Sequence, residues 1–202
     1  MCPDQTSNPK CILLFSGKRK SGKDFFTDLL IERIGHDNGV IVKLSAPIKS
    51  HWAQLRGLEL SKLLDSSSYK EKYRQDMIIW GESMREKDYG YFCRHAIEMC
   101  RATDKSVWIV SDARRKTDIK WFHENYKNVK NIRIFTSDDV RKQRGWTFTE
   151  GIDDAPSECD LDDFTSWDFE IENNGNTGNL EESLNLILQL IKQEVPVIQG
   201  TN

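Results

Sequence analysis

Short apolar runs alternate with longer amphipathic segments along the chain. Five of these runs are rich in β-branched or aromatic residues and are bounded by Gly, Asn, Asp or Ser. This pattern predicts short strands buried on both faces of a parallel sheet. The runs are residues 11–15, 40–44, 106–110, 131–135 and 168–172.

The segments between these runs carry apolar residues at helical spacing, which predicts amphipathic helices. Strands that alternate with helices predict an α/β fold with a five-stranded parallel sheet covered by helices on both faces. A long helical insert, at about residues 45–104, separates the second and third strands. The apolar sets are Phe25, Leu29, Leu30 and Ile34, then Tyr73, Met77, Ile78 and Trp80, then Leu180, Leu184, Ile187, Leu188, Ile191 and Val195.

The composition is that of a soluble globular protein, with 38% hydrophobic and 30% charged residues. A length of 202 residues fits a single domain over 1–202. The net charge is −3, which argues against a nucleic-acid binder. No apolar run approaches the length that spans a membrane, so no membrane partner is expected. Because no exposed apolar stripe is evident, we expect a monomer.

The terminal residues and the cysteines bear on the compartment. The start, "MCPDQTSNPK", is polar and is not typical of a signal peptide. The five cysteines, of which Cys2 is the first, form no C-x-x-C pair, which indicates reduced thiols. The last residues, "QGTN", are not a peroxisomal address. We therefore expect a cytosolic protein.

A basic, glycine-rich loop follows the first predicted strand. Residues 17–23 fit G-x-x-x-x-G-K, the phosphate-binding loop (P-loop), with a strand before it and a helix after it, as such a loop requires. Backbone N–H groups and the helix N-terminus bind phosphate oxygens, and Lys23 can reach the β- and γ-phosphates. A basic surface turn that matches by chance is the alternative. The loop residues are Gly17, Lys18, Arg19, Lys20, Ser21, Gly22 and Lys23.

The residue after the P-loop lysine is Asp24, where such loops usually carry Ser or Thr to hold Mg²⁺. A carboxylate can also serve this hard cation, directly or through water. In the alternative interpretation, Asp24 only favours the start of the following helix electrostatically.

Further cations follow the third predicted strand. Asp112, Arg114 and Arg115 lie at its carboxyl end, the edge at which open α/β sheets bind ligands. Arginine side chains make bidentate contacts with phosphate or carboxylate groups. The alternative is that these arginines only solvate a loop.

A basic helix at residues 139–146 carries Arg141 and Arg144 on one face. It would form part of a lid over about residues 137–163 and deliver an arginine to a transferring phosphoryl group; a solvated helix is the alternative. Residues 153–163 hold six acids and no base. They could orient the lid, but a solvated loop is the default expectation for this stretch.

Two more arginines, Arg85 and Arg94, lie in the helical insert near "DYGYFCRH". They could bind an acceptor or lie along a helix surface. The histidines, which show no metal-ligand spacing, are expected to be structural or surface residues: His36, His51, His95 and His123.

Several segments together resemble the animal-type phosphomevalonate kinases, which have the P-loop fold of the nucleoside-monophosphate-kinase-like family. The resemblance covers about residues 10–194, and Asp24 matches the family. It implies a three-layer P-loop kinase fold and transfer of the ATP γ-phosphoryl group to (R)-5-phosphomevalonate, which gives (R)-5-diphosphomevalonate in isoprenoid synthesis. The segments are "LLFSGKRKSGKDF", "LLDSSSYKEKYRQDMIIWGE", "FCR", "VSDARR", "DIKWF", "RGWTFTEGIDDAPSEC" and "IENNG".

The resemblance also implies roles for individual residues. Residues 17–23 and Asp24 would bind ATP, with Lys18 and Lys23 most important for the reaction. Arg141 and Arg144 would belong to the lid over ATP, and Arg144 and Arg114 would act in catalysis. The acceptor's phosphate and carboxylate would contact Arg85, Arg94, Arg114 and Arg115, with Asp112 beside them. Asn173, Asn174 and Asn179 would lie near the nucleotide, although Asn173 could face the substrate instead.

The chemistry of this reaction requires cations rather than a general base. The acceptor phosphate has a second pKa near ~6 and is mostly ionised at neutral pH. Two unit charges about 4 Å apart repel by ~4 kcal/mol at an effective dielectric of ~20, so the site needs several cations and Mg²⁺. Asp24 and Asp112 could hold this Mg²⁺, Asp112 through water. The alternatives are a P-loop kinase for another phosphorylated small molecule, such as a nucleoside monophosphate, and a non-catalytic nucleotide-binding module.

Overall fold

The computed structural model describes residues 9–64 and 68–196. Five strands form one parallel sheet in the order β2-β3-β1-β4-β5, which confirms the predicted α/β architecture. The strands are β1 (Cys11–Ser16), β2 (Gly39–Val42), β3 (Val107–Val110), β4 (Val129–Phe135) and β5 (Phe169–Glu172).

Helices follow each strand and cover both faces of the sheet. The first helix, α1 (Lys23–Ile34), begins inside the predicted P-loop. The predicted insert between β2 and β3 is helical, and the last helix closes the sheet beside β5. The remaining helices are α2 (Ala46–Arg56), α3 (Leu60–Leu64), α4 (Ser68–Lys87), α5 (Tyr91–Met99), a 3₁₀ turn at Ala102–Asp104, α6 (Lys116–Asn125), α7 (Asp138–Gln143), α8 (Pro156–Cys159) and α9 (Thr177–Glu194).

Alternate residues of the central strand β1 feed two hydrophobic cores. Leu13 and Phe15 pack with α1 and α9, whereas Ile12 and Leu14 pack with α5 and α6. All six residues of β1 are buried. Because β1 is buried on both faces, the loop that follows it starts from a fixed position.

The buried face of α1 differs from the predicted one. Phe25 is 57% exposed, whereas Phe26 is fully buried, so including Phe25 in the apolar face was wrong. The buried stripe runs through Phe26, Leu30 and Ile34, which are spaced four residues apart. Two adjacent phenylalanines left the choice of face open, and packing against the sheet decided it.

All five strands point the same way, so their carboxyl ends share one edge of the sheet. The P-loop leaves β1 there, and residues 111–115 leave β3 beside it. Residues 136–137 leave β4, and residues 173–176 leave β5. The predicted functional segments therefore meet at this edge, on either side of the P-loop.

The cysteines and the helix lengths can be described for the same part of the chain. Cys11, Cys93, Cys100 and Cys159, the cysteines among the described residues, are free thiols. Within the same part of the chain, every helix is too short or too polar to cross a membrane. Cys2, the polar N-terminal start and the C-terminal "QGTN" lie outside the described residues.

Candidate active site

The P-loop has little room for side chains at its two glycines. A Cβ atom at Gly17 would lie 2.5 Å from the carbonyl oxygen of Ile134 in β4. Gly22 has a φ of +87°, and a Cβ there would lie 2.2 Å from Nδ2 of Asn173. Only glycine fits either position, because the loop packs directly against the ends of β4 and β5.

The cations of the P-loop are held by carboxylates. Lys18 Nζ lies 2.8 Å from Asp162 Oδ2, and Arg19 Nη1 lies 2.9 Å from Asp153 Oδ2. Lys23 is buried, and its Nζ lies 2.7 Å from Asp24 Oδ1. Lys20, by contrast, is exposed. Three of the four P-loop cations therefore already have a carboxylate neighbour, so a bound phosphate must compete with these acids or share the cations with them.

The acid-rich stretch at residues 153–163 is solvated only in part. The side chains of Asp162 and Asp163 are exposed, as the default expectation has it, whereas two other acids are buried. The side chains of Asp153 and Glu158 are 4% and 3% exposed. Glu158 forms an ion pair with Arg114, and Asp160 accepts a hydrogen bond from the backbone N–H of Lys116. We call residues 153–163 the acidic segment. It folds over the cationic edge of the sheet, where those cations offset part of the cost of burying its carboxylates. Asp153 also accepts hydrogen bonds from Trp146 Nε1 and from the backbone N–H of Thr149.

The predicted residues after β3 occupy three different environments. Arg114 lines the cleft, and its Nη1 donates to the carbonyl oxygen of Ser157 at 3.1 Å as well as pairing with Glu158. Burial acts to lower the pKa of Arg114, but Glu158, Asp112 and Asp24 outweigh it and raise that pKa. Arg114 therefore remains a cation, with acids on more than one side of it.

Arg115 is buried and pairs with Glu82 of α4. Its Nε and Nη1 atoms have no hydrogen-bond partner among the described residues. Asp112 accepts hydrogen bonds from the backbone N–H groups of Leu44, at 2.6 Å, and Ser45, at 3.0 Å. Asp112 thus ties the end of β2 to the end of β3, a structural task that the sequence pattern did not indicate.

Asp118 organises the predicted acceptor side, and sequence reasoning missed it. This fully buried carboxylate pairs with Arg85 of α4 and accepts the backbone N–H groups of Arg114, at 3.0 Å, and Arg115, at 3.1 Å. The available signal was an acid at the third residue of α6, where a carboxylate commonly caps a helix. Arg94 lies apart from this group: it pairs with Asp88 on the exposed side of α5.

The lid arginines contact the backbone of the P-loop. Arg141 Nε donates to the carbonyl oxygen of Arg19 at 2.9 Å, and its guanidinium carbon lies 3.9 Å from the ring centre of Trp146. Arg144 Nη1 donates to the carbonyl oxygens of Lys20, at 3.2 Å, and Ser21, at 3.1 Å. Both arginines therefore link α7 and its C-terminal end to the loop before α1.

The three predicted asparagines take different positions. Asn173 is buried behind the P-loop, and its Nδ2 donates to the carbonyl oxygen of Ser21 at 2.9 Å. Asn174 Oδ1 accepts the backbone N–H of Ser137, just before α7, at 2.8 Å. Asn179 is exposed in the first turn of α9, and none of its described contacts reaches the P-loop.

A cleft of about 510 Å³ lies between the P-loop, the end of β4, the lid and the acidic segment. Besides Lys18, Arg114 and Arg141, it is lined by Arg133, whose guanidinium faces the ring of Trp167 at 5.8 Å. Sequence reasoning missed Arg133, although its place between two core residues of β4, Ile132 and Ile134, was a usable signal. A charged side chain between two buried residues of a strand is almost never fully buried unless it is paired, so the pattern indicates that Arg133 reaches solvent, a partner or a site.

The carboxylate of Asp24 fits a divalent cation better than that of Asp112. Its side chain is 66% exposed. Partial burial acts to raise the pKa of Asp24, but Lys23, Lys43 and Arg114 together lower it below the ordinary value. The carboxylate is therefore ionised and open to a ligand on its outer side, whereas both oxygens of Asp112 already accept backbone N–H groups. Asp112 could act on a cation only through water.

A P-loop after the first strand of a five-stranded parallel sheet, with arginines at the neighbouring strand ends and on a lid, defines the protein as a P-loop kinase. The fold is shared with the Thermus thermophilus protein TT1252, whose crystal structure superposes with a TM-score of 0.52 at 16% identity, over 92% of this chain and 99% of that chain.

Residues 15–128 match the model of the phosphomevalonate kinase family. The phosphomevalonate kinase of Drosophila melanogaster is 52% identical over 155 residues, which are 75% of this chain and 82% of the relative. The chain belongs to the phosphomevalonate kinase family. The matched residues include the P-loop, Asp24, Asp118 and the adjacent arginines Arg114 and Arg115.

Proposed function

We propose that the protein transfers the γ-phosphoryl group of ATP to the phosphate of (R)-5-phosphomevalonate, which gives (R)-5-diphosphomevalonate and ADP. Family membership supports the reaction, and the convergence of the P-loop, Arg114 and the lid arginines on one edge of the sheet is the observation that carries it. A monomeric state and a cytosolic location stay predictions of the sequence.

The charge pattern of the cleft suits two phosphorylated substrates. Lys18, Lys23 and Arg144 lie at or against the P-loop, where the triphosphate would bind. A donor and an acceptor phosphate repel each other by ~4 kcal/mol per pair of unit charges about 4 Å apart, at an effective dielectric of ~20. Fixed cations on both sides of the transferred group offset that repulsion, and they require no rearrangement at the moment of reaction.

The acceptor side would be formed by Arg114, Arg115 and Arg85. Asp118 contacts all three, through the guanidinium of Arg85 and the backbone N–H groups of Arg114 and Arg115. Nε and Nη1 of Arg115 have no partner among the described residues, but both atoms are buried. An acceptor phosphate or carboxylate could bind them only if this side chain moved toward the cleft, which Arg114 already lines. Arg94 lies outside this group, on the exposed side of α5. A role for Arg94 therefore requires that α5 or the acceptor reach toward it, and it stays a prediction.

Mg²⁺ would be held by Asp24, with Asp112 acting through water. When bound, the ion supplies charge neutralisation at the β- and γ-phosphates. Lys23 lies beside Asp24 and would contact the same phosphates, so this side chain would orient the transferred group.

The protein residues act by positioning and charge rather than by proton transfer. The acceptor phosphate has a second pKa near ~6 and needs no general base at neutral pH. One of its oxygens attacks the γ-phosphorus in line, the bond from that phosphorus to the β-bridging oxygen breaks, and ADP leaves. Arg144 reaches the P-loop from the lid, but its guanidinium donates to the carbonyl oxygens of Lys20, Ser21 and Asn173. To stabilise the charge of the transferring group, this side chain would have to turn from those carbonyls toward the phosphates.

The test is acceptor-dependent release of ADP by the purified protein. Phosphomevalonate should support turnover with MgATP, and the diphosphorylated product should be identified by ³¹P NMR. Mevalonate, inorganic phosphate and a panel of nucleoside monophosphates serve as acceptor controls. Turnover with a nucleoside monophosphate but not with phosphomevalonate would replace the proposed substrate, and ATP binding without any acceptor-dependent turnover would indicate a nucleotide-binding module.

A further inference from the structure

One carbonyl oxygen of the P-loop is surrounded by donors from three other segments. The oxygen of Ser21 lies 3.0 Å from Thr136 Oγ1, 2.9 Å from Asn173 Nδ2 and 3.1 Å from Arg144 Nη1. Thr136 follows β4, Asn173 follows β5, and Arg144 directly follows α7. We call Thr136, Asn173 and Arg144 the carbonyl clamp.

The clamp fixes the orientation of one peptide group. The described residues contain no cis peptide bonds, so the N–H of Gly22 points away from the carbonyl oxygen of Ser21. With that oxygen directed at the clamp, the N–H of Gly22 faces away from the ends of β4 and β5. In a P-loop, backbone N–H groups that face away from the sheet in this manner bind phosphate oxygens.

Without the clamp, the Ser21–Gly22 peptide group could rotate, because its second residue is a glycine. Gly22 has a φ of +87°, and glycine populates positive and negative φ with similar ease. A flip of the Ser21–Gly22 peptide would present a carbonyl oxygen to the phosphate and remove one of its donors. Contacts that hold the oxygen of Ser21 from behind therefore hold the phosphate site in its binding form.

The three residues of the clamp also contact one another. Thr136 Oγ1 also lies 3.0 Å from the carbonyl oxygen of Asn173, so its single hydroxyl hydrogen serves Ser21 or Asn173. Arg144 Nη2 donates to the carbonyl oxygen of Asn173 at 2.9 Å and approaches its Oδ1 at 3.3 Å. The clamp thus connects β4, β5 and the lid at the back of the loop.

We propose that Thr136 and Asn173 are positioning residues for the transfer reaction, which act on ATP only through the Ser21–Gly22 peptide. Asn173 then orients the loop instead of contacting a substrate, and Thr136 gains a role that no sequence motif indicates. The inference deepens the proposed function and rests on it for the identity of the nucleotide, but it concerns the binding of the phosphates and not the choice of acceptor.

The test compares Thr136→Val, which keeps the shape and removes the donor, with Thr136→Ser, which keeps the donor. Calorimetric titration with MgATP should show about tenfold weaker binding for Thr136→Val and restored binding for Thr136→Ser. The KM for ATP should rise by a similar factor, while the KM for the acceptor stays within about twofold. Thr165→Val, at an exposed position outside the clamp, serves as the matched control and should bind ATP like the parent.

A spectroscopic readout separates positioning from general destabilisation. Labelling with ¹³C′-serine and ¹⁵N-glycine selects the two Ser–Gly pairs of the chain, Ser16–Gly17 and Ser21–Gly22. Addition of MgADP should shift the amide signal of Gly22 in the parent and in Thr136→Ser. In Thr136→Val the signal should start at a different position and shift less.

Two results would overturn the inference. One is an unchanged affinity for MgATP and an unchanged Gly22 signal in a folded Thr136→Val. The other is a loss of affinity for ATP and for the acceptor by equal factors. Should Thr136→Val not fold, Asn173→Leu, which removes the Nδ2 donor without adding a charge, must show the same selective loss of ATP binding. Binding of MgATP needs no acceptor, so a protein that binds ATP as described but ignores phosphomevalonate would refute the proposed reaction and leave the clamp intact.

Discussion

The ammonium of Lys18 and the carboxylate of Asp162, 144 residues apart in the sequence, lie 2.8 Å from each other at the mouth of the cleft. The pair brings the acidic segment onto the P-loop, and it belongs to a series that also includes Arg19 with Asp153 and Arg114 with Glu158. Each pair places a carboxylate beside a cation that we predict to contact a phosphate. We therefore expect the acidic segment to lower the affinity of the cleft for anions.

Asp162→Asn should strengthen the binding of ATP. The variant releases Lys18 from a competing carboxylate, and since both side chains are well exposed, the gain should be only about two- to fivefold at low salt. Asp163→Asn is the matched control, because Asp163 pairs with Lys116 instead. The KM for ATP should fall for Asp162→Asn alone, and the gain should shrink at about 1 M salt, where the Debye length is ~3 Å. A weaker affinity for ATP would contradict this role for Asp162.

Removal of the P-loop lysines should abolish turnover while the fold persists. Lys23→Ala or Lys18→Ala removes a cation that we predict to contact the phosphates, and loss of one such group typically lowers kcat by at least about 100-fold. Circular dichroism and thermal unfolding check the fold, and Lys192→Ala, an exposed lysine of α9, is the control. An unchanged kcat in both P-loop variants would remove these lysines from the proposed mechanism.

Features set by local sequence could be predicted. The strands, the P-loop and the start of α1 follow from a run of about five apolar residues and a motif of adjacent residues. The strand predicted at 40–44 ends two residues early, at Val42, because the backbone N–H of Leu44 donates to the carboxylate of Asp112. These two residues are 68 positions apart in the sequence. The pairing of strands and helices was therefore accessible from the sequence, whereas the strand end was decided by a distant side chain.

The basic residues of the site could be predicted from the sequence, whereas its buried acids could not. A basic residue in a P-loop or directly after a strand is identified by its position in that local motif. The burial of Asp153, Glu158 and Asp118 depends on cations that only the fold brings near. A charge run with no partner in the adjacent sequence is usually solvated, and this default fails where a second charged segment folds onto it. The clamp residue Thr136 carried no pattern of its own for the same reason.

Arg114→Gln should weaken the binding of the acceptor more than that of ATP. The variant also leaves the buried Glu158 without its arginine, so the free energy of unfolding should fall by about 3–5 kcal/mol. The double variant Arg114→Gln with Glu158→Gln separates the two effects. It should recover most of the stability in urea denaturation and still show a raised KM for the acceptor. Equal changes in the KM of both substrates would move Arg114 out of the acceptor site.

The fall of kcat/KM at low pH should report the titration of the acceptor phosphate and not that of Asp24. The pKa of Asp24 lies below the ordinary value of an aspartate, so this carboxylate is already ionised at pH values above the ordinary pKa. The contribution of the ionised carboxylate to activity is lost only as the pH falls through the lowered pKa. The second pKa of a phosphate is near ~6, so kcat/KM should fall below about pH 6. Asp24→Asn should lower kcat at all pH values without moving the pH of this fall. A shift of that pH in this variant would assign the fall to Asp24.

Asp118→Asn tests whether the acceptor arginines depend on one buried carboxylate. The amide can still accept hydrogen bonds from the backbone N–H groups of Arg114 and Arg115, but it leaves the mostly buried guanidinium of Arg85 without a counter-charge. Loss of one partner of a buried ion pair typically costs about 3–5 kcal/mol, so urea denaturation should show a fall of this size. Adding Arg85→Gln to Asp118→Asn should return part of the stability, because no unpaired charge remains. The KM for the acceptor should rise in both variants while calorimetric binding of ATP stays the same, since the carbonyl clamp and the P-loop do not contact Asp118. A loss of ATP affinity in Asp118→Asn would mean that this carboxylate supports the whole edge of the sheet and not the acceptor side alone.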